Sequence, residues 1–169
     1  EYPEETPDKL IDFKTTYHTN FIIIRHTFKA YERLKSEKLI QQLFEQGKMV
    51  RDLYPLRLIY LPCNKNIISH HQVLFSVPKK KVKHAVDRNA IKRKMREAYR
   101  LHKHLLISRP ANPIYFLLAY VYVANDQTTN FEIIQKKVLK GIQQINNVYQ
   151  EFTSDRQQKF EEGLDTTLK

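Results

Sequence analysis

The stretch Ile114–Ala124 constrains the fold more than any other part of the chain, because apolar or aromatic side chains fall on both of its alternating faces. Successive side chains of a strand point to opposite sides, so a strand apolar on both must be covered on both. At eleven residues, three of them Tyr, the run is too short to cross a bilayer, which takes about 20 apolar residues. It is expected to be the central strand of a sheet.

The elements around it follow from periodicity. Leu39, Ile40, Leu43 and Phe44 recur at helical spacing between Ser36, a suitable N-cap, and Gly47, which suits the position after a helix end. Leu56–Leu61 is rich in β-formers, and Val73, Phe75 and Val77 alternate, so residues 48–78 read as strands joined by a polar loop over 62–71. Residues 85–106 are helical again until Pro110 and Pro113 stop them. Thr129 and Glu132 have capping-box spacing ahead of a stripe comprising Phe131, Ile134, Val138, Ile142, Ile145, Tyr149 and Phe152. Helix, two or three strands, helix, strand and helix is the pattern of an α/β (α+β) two-layer sandwich.

A chain of 169 residues supports one core more readily than two. Residues 28–149 are expected to form the domain, 1–27 an extension, and 150–169 the end of the last helix and a polar, mobile tail. Cys63 is the single cysteine, so neither an intrachain disulfide nor a thiolate metal cluster is expected, and a cytoplasmic location is. Near the N-terminus the apolar run Phe21–Ile24 is too short for a secretory signal. The chain starts at Glu1 without Met, as a fragment or processed product would.

Charge is concentrated in one place. Residues 79–103 carry eleven Lys and Arg against Asp87 and Glu97, which accounts for nine of the chain's eleven net positive charges. At about 100° per residue, Arg88, Asn89, Lys92, Arg93, Arg96, Arg100 and Lys103 share one arc, with Ile91, Met95, Ala98, His102 and Leu105 opposite. A merely solvated face would mix signs, since like charges one turn apart repel. An arc of planar Arg forks, Lys ammoniums and Asn suits the phosphates and sugars of a folded RNA.

The segment Lys80-Lys81, then Ala85-Val86-Asp87-Arg88-Asn89-Ala90-Ile91-Lys92-Arg93, then Arg96-Glu97, resembles the signature of the bacterial ribonuclease P protein component family. Arg33-Leu34, Leu43 to Lys48 and Tyr54-Pro55-Leu56-Arg57 are similar too, so the resemblance covers roughly residues 28–149. One position departs: Ala90 stands where the family usually has a second Arg, and neighbouring Lys94 is a candidate substitute.

The resemblance implies an α-β-β-β-α-β-α order like domain 2 of ribosomal protein S5, with a left-handed crossover against the general rule. It implies that Arg88, Asn89, Lys92, Arg93 and Arg96, extended by Lys80 and Lys81, bind the catalytic RNA. It further implies a cleft between the first helix and the sheet for the single-stranded 5′ leader of precursor tRNA, with Ile40, Phe44 and Tyr60 as candidates. Hydrolysis would then belong to Mg²⁺ held by the RNA subunit, leaving the protein no catalytic or metal-binding residue, no membrane and no small-molecule substrate.

Other readings fit less well. An independent nuclease needs positioned acids, and no acidic pair stands out in the ordered core; adjacent His70-His71 would point apart in a strand, with no third ligand at a suggestive spacing. A non-catalytic RNA-binding protein of ribosomal type, or a DNA-binding helix, would explain the charge but not the Ala85–Arg93 signature.

Overall fold

The protein is described by a computed structural model over residues 27–64, 66–106, 114–125 and 129–165. Most of the expected N-terminal extension, the Pro110 and Pro113 helix stop, and the last four residues of the tail lie outside the described residues.

The doubly apolar run forms β4 (Ile114–Tyr122), which lies between β2 (Leu56–Asn64) and β3 (Gln72–Ser76), with β1 (Lys48–Val50) beyond β2. β4 pairs antiparallel with β2 along its whole length and parallel with β3. Parallel neighbours need a long crossover, and α2 (Ala85–His102) supplies it. Among the described residues, α1 (Glu37–Gln46) precedes the sheet and α3 (Phe131–Asp165) follows it.

Period-two alternation sorts the sheet into two cores. On one face Leu58, Tyr60, Phe116, Leu118, Tyr120 and Tyr122 pack against Ile91, Met95 and Tyr99 of α2 and Ile134, Val138, Ile142 and Tyr149 of α3. On the other face Cys63, Leu117 and Ala119, flanked by Ile59 and Leu61, pack against Leu43 and Ile40 of α1. The larger core joins the sheet to the α2/α3 layer, and α1 lies across part of the opposite face. Each fully buried Leu or Ile here contributes about 1.5–3 kcal/mol through removal from water.

Three local expectations change. The loop expected over 62–71 starts later, because β2 carries Pro62 and Cys63 in register with Phe116 and Tyr115. β1 ends its pairing at Lys48 opposite Tyr60, so β2 has an open edge beyond that point, where a missing N–H is tolerated. Gly47 is extended rather than left-handed; it is small because an added Cβ would lie 2.2 Å from the Leu43 carbonyl oxygen and 2.7 Å from Ile59 Cγ2. The polar sequence after Phe152 continues as helix to Asp165, since extending an anchored helix through good helix formers such as Gln, Lys and Glu costs little.

Candidate nucleic-acid interface

Ile91, Met95, Ala98 and Tyr99 bury one side of α2, which turns the opposite side to solvent. Asn89, Arg93 and Arg96 are exposed there and Lys92 is half-buried. None of Lys92, Arg93 and Arg96 makes an ion pair or hydrogen bond with another described side chain or carbonyl. Lys79 and Lys80 lie exposed in the turn leading to the helix, which adds its own N-terminal dipole to their field.

The rest of the arc is partly engaged within the protein. Arg100 forms a two-pronged pair with Glu97, at 2.6 and 2.8 Å, and this hydrogen bonding holds the Glu97 carboxyl below its ordinary range. Lys103 is tied to Glu32 and to the Thr27 carbonyl. Arg88 donates through Nη1 to the carbonyls of Val82 and Lys83, and Lys81 donates to Asn125 Oδ1 at 2.9 Å. Free positive charge is thereby concentrated on Lys92, Arg93 and Arg96 in the middle of the helix and on Lys79 and Lys80 before it. Ala90 is exposed, and Lys94, one turn on, donates to the Thr129 carbonyl at 3.0 Å.

The three cleft candidates are not brought together. Ile40 and Phe44 lie on α1, with Ile40 against the sheet and Phe44 47% exposed. Tyr60 is 8% exposed and faces the α2/α3 core, because Ile59 and Leu61 take the alternate positions toward α1. Burial, then the nearby Glu151 charge, raises the pKa of its hydroxyl.

Sequence reasoning assigned no role to Arg33 and Lys35. A cleft of about 200 Å³ brings them beside Arg96, over Phe28, Leu74 and Phe75. The link is a short parallel bridge from Arg33 to Val73, which lays the segment before α1 along the free edge of β3. Arg33 also sits 5.5 Å from the Phe28 ring centre. A basic Arg33-Leu34-Lys35 segment ahead of a helix cap was the available signal; its partner strand lies about forty residues on.

A model of the ribonuclease P family matches residues 28–146, a span that includes the basic helix and all four strands. The chain belongs to the ribonuclease P protein family. The ribonuclease P protein component of Porphyromonas gingivalis is 36% identical over 115 residues, 68% of this chain and 82% of that one. The ribonuclease P protein component of Chlorobium phaeobacteroides is 35% identical over 130 residues, 71% of this chain and 88% of that one. Among solved structures, the ribonuclease P protein of Staphylococcus aureus superposes with a TM-score of 0.52 at 26% identity, covering 70% of this chain and 96% of that one. Within this ribonuclease P family fold, no described helix is long and apolar enough to cross a membrane.

Proposed function

We propose that this chain is the protein subunit of a ribonuclease P holoenzyme, binding the catalytic RNA through α2 and supporting endonucleolytic removal of the 5′ leader from precursor tRNA. The observation that carries this is the unpaired cationic surface of Lys92, Arg93 and Arg96 in a chain of this family. Charges left without acid partners are costly to hold together and are stabilised by a polyanion. Lys79 and Lys80 lengthen the surface, and Asn89 adds a group that can both donate and accept at sugars and bases.

The leader reading rests on α1. Ile40 packs in one cluster with Ile59 and Leu61 of the sheet, and Phe44, one turn further along α1, exposes an aromatic ring on which an unpaired base can stack without sequence preference. Among the described residues no group of three or more His, Cys, Asp or Glu is arranged to hold a metal ion. In this reading the chain's own residues act by binding and positioning RNA, with Mg²⁺ assigned to the RNA subunit.

The test is cleavage of a 5′-extended precursor tRNA by the protein alone, by the host's ribonuclease P RNA alone at low Mg²⁺, and by both. Cleavage by the mixture alone is expected. Cleavage by the protein alone, or no gain on mixing, refutes the reading.

A further inference from the structure

A second cationic cleft lies away from the α2 face, at the end of the sheet where β1 turns into β2. It encloses about 450 Å³ and is lined by Met49, Arg51, Asp52, Tyr54, Arg57 and Val123, among others. Tyr54 is 66% exposed and Met49 55%. Neither Arg51 nor Arg57 has an ion-pair or hydrogen-bond partner among the described residues. Asp52, the one acid in the lining, stands at φ 61°, a left-handed conformation that Asp tolerates better than most residues. Its carbonyl receives the ammoniums of both Lys137 and Lys140, each at 3.4 Å. Two arginines and an exposed aromatic ring thus line the cleft, and two lysines of α3 reach the backbone carbonyl of Asp52 in its lining.

The cleft adjoins the sheet face beside α1. Arg57 follows Ile59 and Leu61 at spacing two on β2, so it lies on the sheet face that α1 partly covers. It also borders the basic loop before α2: the Val123 N–H donates to the Pro55 carbonyl at 2.9 Å, and Asn125, two residues further, receives Lys81. Arg57 thus joins the sheet face beside α1 to the cleft that it lines together with Tyr54 and Arg51.

We propose that this cleft binds a 5′-distal nucleotide of the single-stranded leader, with its base stacked on Tyr54 and its phosphates at Arg51 and Arg57. The inference rests on the proposed leader-binding role and extends it beyond α1. A ring open to solvent beside unpaired Arg side chains is the combination that binds unpaired bases without reading sequence. The volume lies within the range of small-molecule sites, sufficient for a nucleotide and not for a duplex.

The experiment measures holoenzyme affinity for precursor tRNAs whose leaders are lengthened one nucleotide at a time, with Tyr54→Ala, Tyr54→Phe and the double variant Arg51→Ala/Arg57→Ala. For the unaltered chain, affinity should rise in two stages, first as the leader reaches α1 and again as it reaches the cleft. Tyr54→Ala and the double variant should abolish the second stage only, a loss of roughly 5- to 100-fold, the size of one stacked base. Tyr54→Phe keeps the ring and should retain it. Affinity for the RNA subunit alone should not move in any variant. If the second stage survives Tyr54→Ala and the double variant, the cleft assignment is wrong while the α1 reading stands. If those variants weaken binding of the RNA subunit, the surface belongs to that subunit and the proposal fails. No dependence on leader length in the unaltered holoenzyme would remove both the α1 reading and this one.

Discussion

Arg88 donates to the Lys83 carbonyl 2.6 Å away, so the first basic residue of α2 braces the basic loop that precedes it. The same Nη1 reaches the carbonyl of Val82, whose side chain is fully buried. Arg93 and Arg96 have no comparable bonds among the described residues. Arg88→Ala should therefore cost about 1.5–3 kcal/mol of stability, the range for hydrogen bonds of a charged group, and should also weaken RNA binding. Arg93→Ala and Arg96→Ala should stay within about 0.5 kcal/mol of the parent while weakening RNA binding. Urea unfolding beside RNA titration separates the two classes; equal destabilisation by all three would mean that the whole arc is structural.

Salt reports the same division. Affinity for the RNA subunit should drop by about three orders of magnitude or more from low to somewhat above physiological salt, because each neutralised phosphate releases counterions. Removing Lys92, Arg93 or Arg96 should make the log–log slope shallower by roughly one unit each. Arg100→Ala should change it less, since Glu97 already occupies that guanidinium. A slope that responds most to Arg100 would move the interface toward the helix C-terminus.

Phe44 and Tyr60 should respond oppositely to truncation. Phe44 is about half exposed on α1, so Phe44→Ala should weaken leader binding with little effect on folding. Tyr60 packs against Phe116 in the α2/α3 core, with ring centres 6.2 Å apart, and Tyr60→Ala should cost about 3–5 kcal/mol. The readouts are leader-length dependence and the urea midpoint. Leader affinity lost in a well-folded Tyr60→Ala protein would put that side chain back in the cleft.

The misplacement of Tyr60 shows where sequence stops being informative. The alternation that marked Val73, Phe75 and Val77 as one face does not say which face any helix covers, and a shift of one residue exchanges the two. The central position of β4 was legible because both of its faces are apolar, a pattern that no edge strand needs. The cationic arc was legible because α2 is long and its charge nearly of one sign. Its neutralised end was not: Lys103 is paired with Glu32, about seventy residues away, and periodicity within one helix carries nothing about such partners. The Tyr54 cleft was hidden similarly, since Arg51 and Arg57 line it together only once β1 turns into β2, and Lys137 and Lys140 reach the Asp52 carbonyl from α3, more than eighty residues on.

Gly47 tests how closely α1 sits on the sheet. An added Cβ would meet a backbone oxygen of α1 and the Ile59 side chain, and the oxygen cannot move without unwinding the last turn. Gly47→Ala should destabilise by about 1–3 kcal/mol although its φ of −69° is open to any residue, because the cost is overpacking and not backbone strain. Melting with far-ultraviolet dichroism measures it; an unchanged or raised midpoint would show that α1 can shift away from β2 freely.

Cys63 offers a probe of the same layer. It is buried between α1 and the sheet, and burial pushes its thiol pKa up. A raised folded-state value means that the unfolded chain gives up this proton first, so stability should begin to fall as pH rises through the unfolded thiol pKa near 8.5. Iodoacetamide at that pH should accordingly alkylate the native protein far more slowly than the urea-unfolded chain. Comparable rates would mean that α1 lifts from the sheet often enough to expose the sulfur, and the α1 surface proposed for the leader would then be transient rather than fixed.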